Sequence, residues 1–336
     1  MLALALVLIG QVAPSDAIDR DLNIEKVFAK EEQPTPDGWK FNLTVGVNGS
    51  MTHSSNVVGM VNGTSAQAGA VIDGGATLKF GLNSWENAVR LNEAFTRTPT
   101  VPTFLKSADE LRLQSTFLHR MEAVQWLGPY ARFFGSTSIF RGWTVPATDV
   151  YIERIGVDGN STTTQKLAGQ KYGLTKPFEP LVLRESAGFF ANPIEGTPIT
   201  MRTRLGAAAQ QLIAQQGYAL KDATTTTPNN PATPIVYQQL RSSVQGGAEF
   251  DVEALGTIVE NVTYSGRADF FYPIWETNDS QVKGSKLQTD ISAKLSVRLS
   301  KYLSLDYILS AKKIPQVVDV WQVQNGLLLS IAFTVI

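Results

Sequence analysis

The stretch Leu287-Gln-Thr-Asp-Ile-Ser-Ala-Lys-Leu-Ser-Val-Arg-Leu299 decides the fold of this chain. Apolar residues occupy nearly all of its odd positions, and polar or small residues occupy its even positions. Because successive side chains of a β-strand point to opposite faces, this alternation predicts a strand with one apolar and one polar face. The alternation continues through Leu303–Leu309 and returns in Leu327–Val335. Repeated segments of about ten residues with this period are typical of a transmembrane β-barrel.

The composition of the 336 residues fits a membrane barrel and excludes several other classes. Charged residues make up 18% of the chain and the mean hydropathy is −0.04, which is too polar for a bundle of membrane helices. The net charge of −1 argues against a nucleic-acid partner. The sequence contains no cysteine, which excludes disulfides and thiolate chemistry.

The remaining sequence can be read as strands joined by alternating long and short connections. The ranges predicted ahead of the C-terminal strands include 39–54, 67–82, 126–141, 181–193, 199–217, 235–252 and 256–272. Long loops after odd strands and short turns after even strands are the asymmetry of outer-membrane barrels, with the short turns in the periplasm. The predicted fold is therefore all-β, a transmembrane antiparallel up-and-down barrel of about twelve strands.

Two features leave alternatives open. The irregular stretch 142–180 contains Val150-Tyr-Ile152, which could form a hairpin above the membrane, so ten or fourteen strands are also compatible with the pattern. A soluble array of β-sandwiches is the other reading of the whole chain. Sandwich strands usually run for about five or six residues, however, and several segments here alternate over a much longer range.

The N-terminal residues 1–17 have the composition of a signal peptide. Met1–Gly10 is almost entirely apolar and Ser15-Asp-Ala17 offers a small-residue cleavage site, although no Lys or Arg precedes the apolar run. A buried strand or a short membrane anchor is the alternative. We expect the polar residues 18–38 to form a periplasmic extension and residues 39–336 to form the barrel, which places the protein in the bacterial outer membrane.

The six tryptophans are distributed as two interfacial girdles of a barrel would require. Three lie at predicted periplasmic strand starts: Trp39, Trp85 and Trp126. Three lie at predicted outer strand ends: Trp143, Trp275 and Trp321. The alternative is that tryptophan simply favours strand ends and sandwich cores. We interpret all six as an aromatic girdle, and outer-membrane lipid as the partner of the apolar belt between its two rings.

Charged residues within the strands predict the lining of the lumen, because polar side chains of a membrane barrel face inward. The predicted lining consists of five arginines and three carboxylates: Arg112, Arg120, Arg132, Arg202, Arg204, Glu249, Asp251 and Glu253. A twelve-stranded barrel is intermediate between small filled barrels and open porins. These opposing charges either line a narrow pore or cross-link a closed interior, and we favour a narrow or occluded lumen.

Signals for catalysis and metal binding are weak. The two histidines are His53, in a segment rich in Ser and Thr, and His119, four residues after Ser115. Four residues along a strand span about 13 Å, so a Ser–His pair would need partners from neighbouring strands. Asp158-Gly-Asn160 is too short for a calcium loop. We therefore expect no enzymatic activity and no cofactor or metal. An outer-membrane hydrolase using His53 or His119 is the alternative.

Short blocks in the chain resemble an uncharacterised family of outer-membrane β-barrels, a domain of unknown function typical of Bacteroidetes-like Gram-negative bacteria. The blocks are Gly74-Gly-Ala-Thr-Leu-Lys-Phe-Gly81, Trp85-Glu-Asn-Ala-Val-Arg-Leu91, Lys106-Ser-Ala-Asp-Glu-Leu-Arg-Leu-Gln-Ser115, Phe178-Glu-Pro-Leu181 with Ser186-Ala-Gly188, and Leu303-Ser-Leu-Asp-Tyr-Ile-Leu309. Their order spans most of the chain after the signal peptide. The resemblance implies an outer-membrane barrel with no known activity, and it transfers no catalytic residue.

We therefore expect a non-enzymatic outer-membrane barrel that is a structural or accessory component of a larger envelope complex. Residues 18–38 in the periplasm and the long outer loop 142–180 are the predicted contact sites for other envelope proteins. A passive porin or solute channel, with anion preference from its arginines, is the alternative.

Overall fold

The computed structural model describes residues 37–54, 63–98, 101, 103–196, 198–214, 216–221, 234–277, 286–315 and 318–334. The predicted signal peptide and all but the last two residues of the predicted extension 18–38 lie outside these ranges. Within them, every regular element is a β-strand, and no helix is long and apolar enough to cross a membrane.

The described residues form eighteen strands. In chain order they are β1 (Gly38–Ser54), β2 (Gly63–Phe80), β3 (Asn83–Arg97), β4 (Leu105–His119), β5 (Leu127–Thr137), β6 (Gly142–Thr144), β7 (Val150–Ile155), β8 (Ser161–Lys166), β9 (Tyr172–Thr175), β10 (Leu181–Ile194), β11 (Thr200–Ile213), β12 (Tyr218–Leu220), β13 (Ile235–Gln239), β14 (Ser243–Val259), β15 (Val262–Glu276), β16 (Gln288–Arg298), β17 (Leu303–Ile314) and β18 (Val318–Thr334).

Twelve of these strands form one closed antiparallel barrel, in the order β1-β2-β3-β4-β5-β10-β11-β14-β15-β16-β17-β18. The first and last strands pair with each other, with Val45 opposite Phe333, so the barrel has no free edge. Closure matters in lipid because an open edge would leave backbone polar groups without partners. The predicted twelve-stranded fold is confirmed.

The outer surface of the wall is apolar. On three neighbouring strands, Phe189, Leu205 and Phe250 point outward and are 59%, 61% and 41% exposed. The next residue along β10, Phe190, points inward and is fully buried. A closed antiparallel barrel with an apolar exterior is the architecture of a bacterial outer-membrane protein, and it places the chain in that membrane.

The six remaining strands form a cap beyond the outer strand ends. β12, β13, β7 and β8 form a four-stranded sheet in that order, and β6 pairs with β9. The β7–β8 pair is the hairpin predicted around Val150-Tyr-Ile152, and β13 lies parallel to β7. The cap has its own buried cluster, which consists of Val150, Ile152, Tyr172, Leu174, Ile235 and Tyr237.

Two predicted strand ranges were wrong. The predicted strand 235–252 is divided between β13, which belongs to the cap, and β14, which starts at Ser243. The predicted turn before residue 256 does not exist, because β14 continues to Val259 and turns at 260–261 into β15. Ile235 and Tyr237 alternate like barrel residues, but their buried faces pack in the cap.

Candidate functional site: the charged lumen

One cluster of buried charged side chains in the lumen comes from five consecutive barrel strands, β5, β10, β11, β14 and β15. Alternate residues of each strand point inward, so charged residues that are two positions apart line up along the inner face of the same strand. Strand register then sets the rows: Arg204 is directly opposite Asp251, and Asp251 is opposite Asp269. One row below, Arg202 is opposite Glu253, which is opposite Arg267.

Asp251 is the centre of this cluster. Its Oδ1 accepts hydrogen bonds from Nε and Nη2 of Arg204 at 2.9 and 2.6 Å, and its Oδ2 accepts one from Nε of Arg267 at 2.7 Å. Arg204 and Asp251 are 1% and 0% exposed. A carboxylate out of contact with water needs such paired, hydrogen-bonded partners.

Two further ion pairs join strands that are not neighbours. Nη2 of Arg132 on β5 lies 2.6 Å from Oε2 of Glu249 on β14, and Nη1 of Arg184 on β10 lies 2.7 Å from Oδ1 of Asp269 on β15. Each pair connects strands three places apart around the barrel. These side chains therefore run across the lumen rather than along its wall. The Tyr130 hydroxyl adds a hydrogen bond to Glu249 at 3.3 Å.

A layer of glutamines lies toward the outer end of the lumen. Nε2 of Gln210 donates to Oε1 of Gln245 and of Gln288 at 3.3 and 3.2 Å, and Nε2 of Gln288 donates to Gln245 at 2.9 Å. Arg184 donates to Oε1 of Gln210 from Nε and Nη2 at 2.9 and 2.6 Å. The amide layer is thus continuous with the ion pairs beneath it.

Smaller polar groups complete the interior on both sides. On β4 and β5, Arg112 donates to Glu110, which also accepts a 2.8 Å hydrogen bond from Ser136. On β16 and β17, Ser296 donates to Asp306 at 2.5 Å and Lys294 lies 3.4 Å from the same carboxylate.

The inner face is buried on several strands. Phe190 and Phe271 are 0% exposed, Thr116 is 1% exposed and Ser296 is 2% exposed, although all four point inward. Other inward side chains are partly accessible, since Arg202 and Glu86 are 26% and 31% exposed. The lumen is therefore filled around the charged cluster and more open at the end with the short turns.

Seven of the eight predicted lining residues lie at inward positions of barrel strands, and the eighth, Arg120, follows the last residue of β4. Nη2 of Arg120 lies 3.4 Å from Oε1 of Glu195 at the rim, and the Arg120 side chain is 37% exposed. Arg120 therefore lies at the mouth of the barrel, outside the buried part of the lumen.

Several lumen residues were missed. Arg267 and Asp269 lie on β15, whose predicted range began too early, and Arg184 lies on the correctly located β10. The sequence signal that could have found Arg184 is the alternation of inward and outward positions, since Arg184 and Ser186 alternate with the outward Glu185, Ala187 and Phe189. Glu110 carried the same signal beside Arg112 on β4.

Five of the six girdle tryptophans lie on or beside barrel strands and are about half exposed: Trp39, Trp85, Trp126, Trp275 and Trp321. Trp39 packs against Trp85 with ring centroids 6.0 Å apart. Trp143 was placed wrongly, because it lies on β6 in the cap, with Nζ of Lys171 4.9 Å above its ring. The loop after β5 folds into the cap instead of ending a barrel strand there.

The described histidine does not form a Ser–His pair with Ser115. Nδ1 of His119 contacts Oδ1 of Asn83 at 2.8 Å, while the Ser115 hydroxyl bonds to Trp85 and to Asn87, each at 2.8 Å. The His53 side chain lies outside the described side chains. The described residues contain no group of three or more His, Cys, Asp or Glu that could hold a metal ion.

No protein-family model matches this sequence, and no curated protein is significantly similar to it. Among solved structures, the chain is similar to the translocator domain of the autotransporter NalP from Neisseria meningitidis, with 8% identity over 89% of both chains and a TM-score of 0.38. An outer membrane channel from Pseudomonas putida F1 is 8% identical, with 91% of this chain and 98% of that chain covered and a TM-score of 0.39. The outer membrane channel DcaP of Acinetobacter baumannii is 8% identical, with 88% and 98% covered and a TM-score of 0.29. The barrel is defined by its own topology and apolar exterior, and the resemblance to an uncharacterised family stays a prediction.

Proposed function

We propose that this protein is a non-enzymatic outer-membrane barrel with an occluded lumen, acting as a structural or accessory component of a larger envelope complex. The observation that carries this proposal is the set of buried ion pairs that cross the lumen between non-adjacent strands, above all Arg132–Glu249 and Arg184–Asp269. A conducting pore of this size would need free space where these side chains meet.

The energetics support a stable seal. Separating one partner of a buried, hydrogen-bonded ion pair costs roughly 3–5 kcal/mol. A solute on the path through β5, β10, β11, β14 and β15 would have to separate several such pairs at once. Thermal motion would open that path too rarely for steady conduction.

The role in a complex is supported by surfaces on both sides of the membrane. Residues 18–38 are polar and charged and would lie in the periplasm. On the other side, the cap presents two separate loops joined as one folded unit through β7 and β13. Deleting residues 18–37 is expected to leave the barrel folded and to release the periplasmic partner. Unchanged co-purification of the same partner would contradict this contact site.

Single-channel conductance in a planar bilayer tests the occluded lumen. We expect the folded protein, verified by heat-dependent gel migration, to give no steady current steps. A variant with Arg132, Glu249, Arg184 and Asp269 all replaced by Ala removes both crossing pairs together, and it should conduct. Salt-dependent steps from the unaltered protein would overturn the proposal in favour of a passive channel.

A further inference from the structure

A cluster of charged side chains at the outer end of β3 and β4 is separate from the lumen. The outward residues of β3 include the exposed Trp85, Val89 and Phe95, and Glu93 lies at an outward position of the same alternation. Glu93 is directly opposite Asp109 of β4, and directly opposite residues share one face of a sheet. Both carboxyl groups therefore lie on the outside of the wall, where a membrane barrel normally carries apolar side chains.

Asp109 is the centre of this cluster. Its Oδ1 accepts a hydrogen bond from the backbone N–H of Ile139 at 2.7 Å, and its Oδ2 accepts one from the backbone N–H of Phe140 at 2.9 Å. Nζ of Lys106 donates to the same carboxylate. Asp109 is 4% exposed, because the loop that carries these N–H groups covers it. With three donors directed at it, the Asp109 carboxylate acts as an acceptor and carries the negative charge of the cluster.

Lys106 completes a clamp on the loop that follows β5. Its Nζ also donates to the backbone oxygens of Phe140 and Arg141 at 2.9 and 3.2 Å. Asp109 thus binds the N–H groups of residues 139–140, and Lys106 binds the C=O groups of residues 140–141. The loop leads directly into β6, the first strand of the cap. The clamp formed by Asp109 and Lys106 therefore attaches the start of the cap to the barrel wall.

Glu93 lies beside this clamp without a donor of its own. Both of its Oε atoms are out of contact with water and have no hydrogen-bond partner among the described residues. The group that they contact is the Asp109 carboxyl group. An ionised Glu93 would place a second negative charge beside the first, away from water, which is costly without a partner. A protonated Glu93 has an O–H donor instead, and the Asp109 carboxylate is the acceptor within its reach.

The charged groups that face Glu93 are few. Asp109 and Lys106 face it from β4, and Lys106 already donates to Asp109 and to the loop. The residue opposite Glu93 on β2 is Ala70, which is uncharged. The loop contributes Arg141, whose side chain is exposed to water. One buried cation therefore serves two carboxyl groups, and the cluster is neutral when one of them holds a proton.

We propose that Glu93 is a protonated carboxylic acid whose O–H donates to Asp109, and that this shared proton keeps the clamp closed. Loss of the proton in alkali places two negative charges side by side, and both compete for Lys106. The contacts to residues 139–141 then weaken. Because the closed clamp binds a proton that the open clamp releases, its stability is complete at low pH and falls as the pH rises. The pH outside the cell thus controls how firmly the cap is attached, whether or not the lumen conducts.

Infrared spectroscopy of the protein in lipid vesicles detects this proton directly, because a protonated carboxylic acid has a carbonyl band that a carboxylate lacks. At neutral pH, Glu93→Gln should lose the band intensity of one acid group. Glu122→Gln makes the same change on an exposed turn at the other end of the barrel, and this matched control should lose none. Heat-dependent gel migration verifies that each variant is folded. An unaltered acid band in folded Glu93→Gln would overturn the proposal.

Hydrogen–deuterium exchange of peptides that contain Ile139 and Phe140 tests the clamp itself. After correction for the faster chemical exchange in alkali, protection in the unaltered protein should fall about tenfold or more as the pH rises, as expected for loss of a hydrogen bond to a charged group. Glu93→Gln keeps a donor beside Asp109 and cannot ionise, so it should retain its protection over the same pH range. Equal losses in the two proteins, or no loss in either, would contradict control of the clamp by Glu93.

Discussion

Nη1 of Arg202 on β11 lies 3.3 Å from Oε2 of Glu86 on β3, so one ion pair joins strands four places apart around the barrel. Both residues lie near the start of their strands, on the side of the short turns. Their side chains are 26% and 31% exposed, whereas Arg204 and Asp251 above them are fully buried. The contact therefore braces the periplasmic mouth, and the buried cluster closes the middle of the lumen.

Replacing Arg202 by Ala should open the periplasmic mouth with little loss of stability. A partly exposed ion pair contributes only about 0–1 kcal/mol, so the melting temperature should change little. The chain has no cysteine, so the reaction of a Thr116→Cys side chain, which is paired with Glu86 and buried, with a water-soluble maleimide measures access from that side. We expect the same mild effect from Glu86→Ala, and the double variant should be no more open than either single variant. An unaltered labelling rate would contradict the bracing role.

Replacing Arg132 by Ala should destabilise the barrel strongly. Glu249 is 0% exposed, and loss of the partner at 2.6 Å leaves its carboxylate buried with the longer contacts to the Tyr130 hydroxyl at 3.3 Å and to Arg184 at 3.5 Å. Breaking a buried pair from one side typically costs about 3–5 kcal/mol. Urea-induced unfolding in lipid vesicles would measure the loss. The control is Arg120→Ala, which removes an exposed rim pair and should cost about 0–1 kcal/mol; equal losses would count against the lumen cluster as a source of stability.

Replacing Glu179 by Ala should loosen the cap without unfolding the barrel. The Glu179 carboxylate is buried and accepts hydrogen bonds from the backbone N–H groups of Lys176, Gln216 and Gly217 at 3.1, 2.5 and 3.1 Å. It thereby ties together the two loops that build the cap. Each buried N–H left without an acceptor costs about 1–3 kcal/mol.

Hydrogen–deuterium exchange should show faster exchange at 172–180 and 216–221 in this variant, with the barrel strands unchanged. Glu122→Ala, on an exposed turn at the other end of the barrel, is the matched control. Uniformly faster exchange, including the barrel strands, would show that the cap and the barrel are one cooperative unit.

The cap should lose stability at high pH because of Tyr237. Burial, with a contribution from the neighbouring Tyr172, raises the pKa of Tyr237 from 10.0 to about 12. The folded cap therefore keeps the phenolic proton while the unfolded cap loses it, so the stability contributed by this group is complete below pH 10 and declines as the pH rises toward 12. The difference in phenolate absorbance between the unaltered protein and Tyr237→Phe isolates this group. A titration step near pH 10 would contradict its burial.

The barrel was predictable because two features of the sequence, the alternation of apolar and polar residues and the lengths of the connections, both indicate the same strands. In β16, inward Ser292 and Ser296 alternate with outward Leu295, and the pattern is long enough to exclude a short sandwich strand. Paired register follows from the short turns, as at Gly81, whose φ of 59° suits the tight β2–β3 connection. The lining residues could be predicted from the alternation of inward and outward positions alone, without knowledge of their ion-pair partners.

The cap and the detailed pairing were not predictable, because both depend on contacts between distant segments. Nothing local distinguishes Ile235 and Tyr237 from barrel residues, since their alternation is the same and only the partner β7 differs. Likewise, nothing in the sequence around Arg132 indicates that its carboxylate partner, Glu249, lies on β14 and not on the adjacent β10. The pairing of Arg184 with Asp269 depends on the cross-section of the closed barrel, which no single strand encodes.

The parallel pairing of β13 with β7 has a consequence for the order of events in biogenesis. These strands come from two different hairpins, and neither loop can complete the cap sheet alone. Both loops must have crossed the membrane before Ile235 meets Ile152, so the cap reports that the wall between β5 and β14 has already been inserted. Resistance of residues 142–180 to an external protease should therefore appear only after the second loop, which carries β13, has also reached the outer surface.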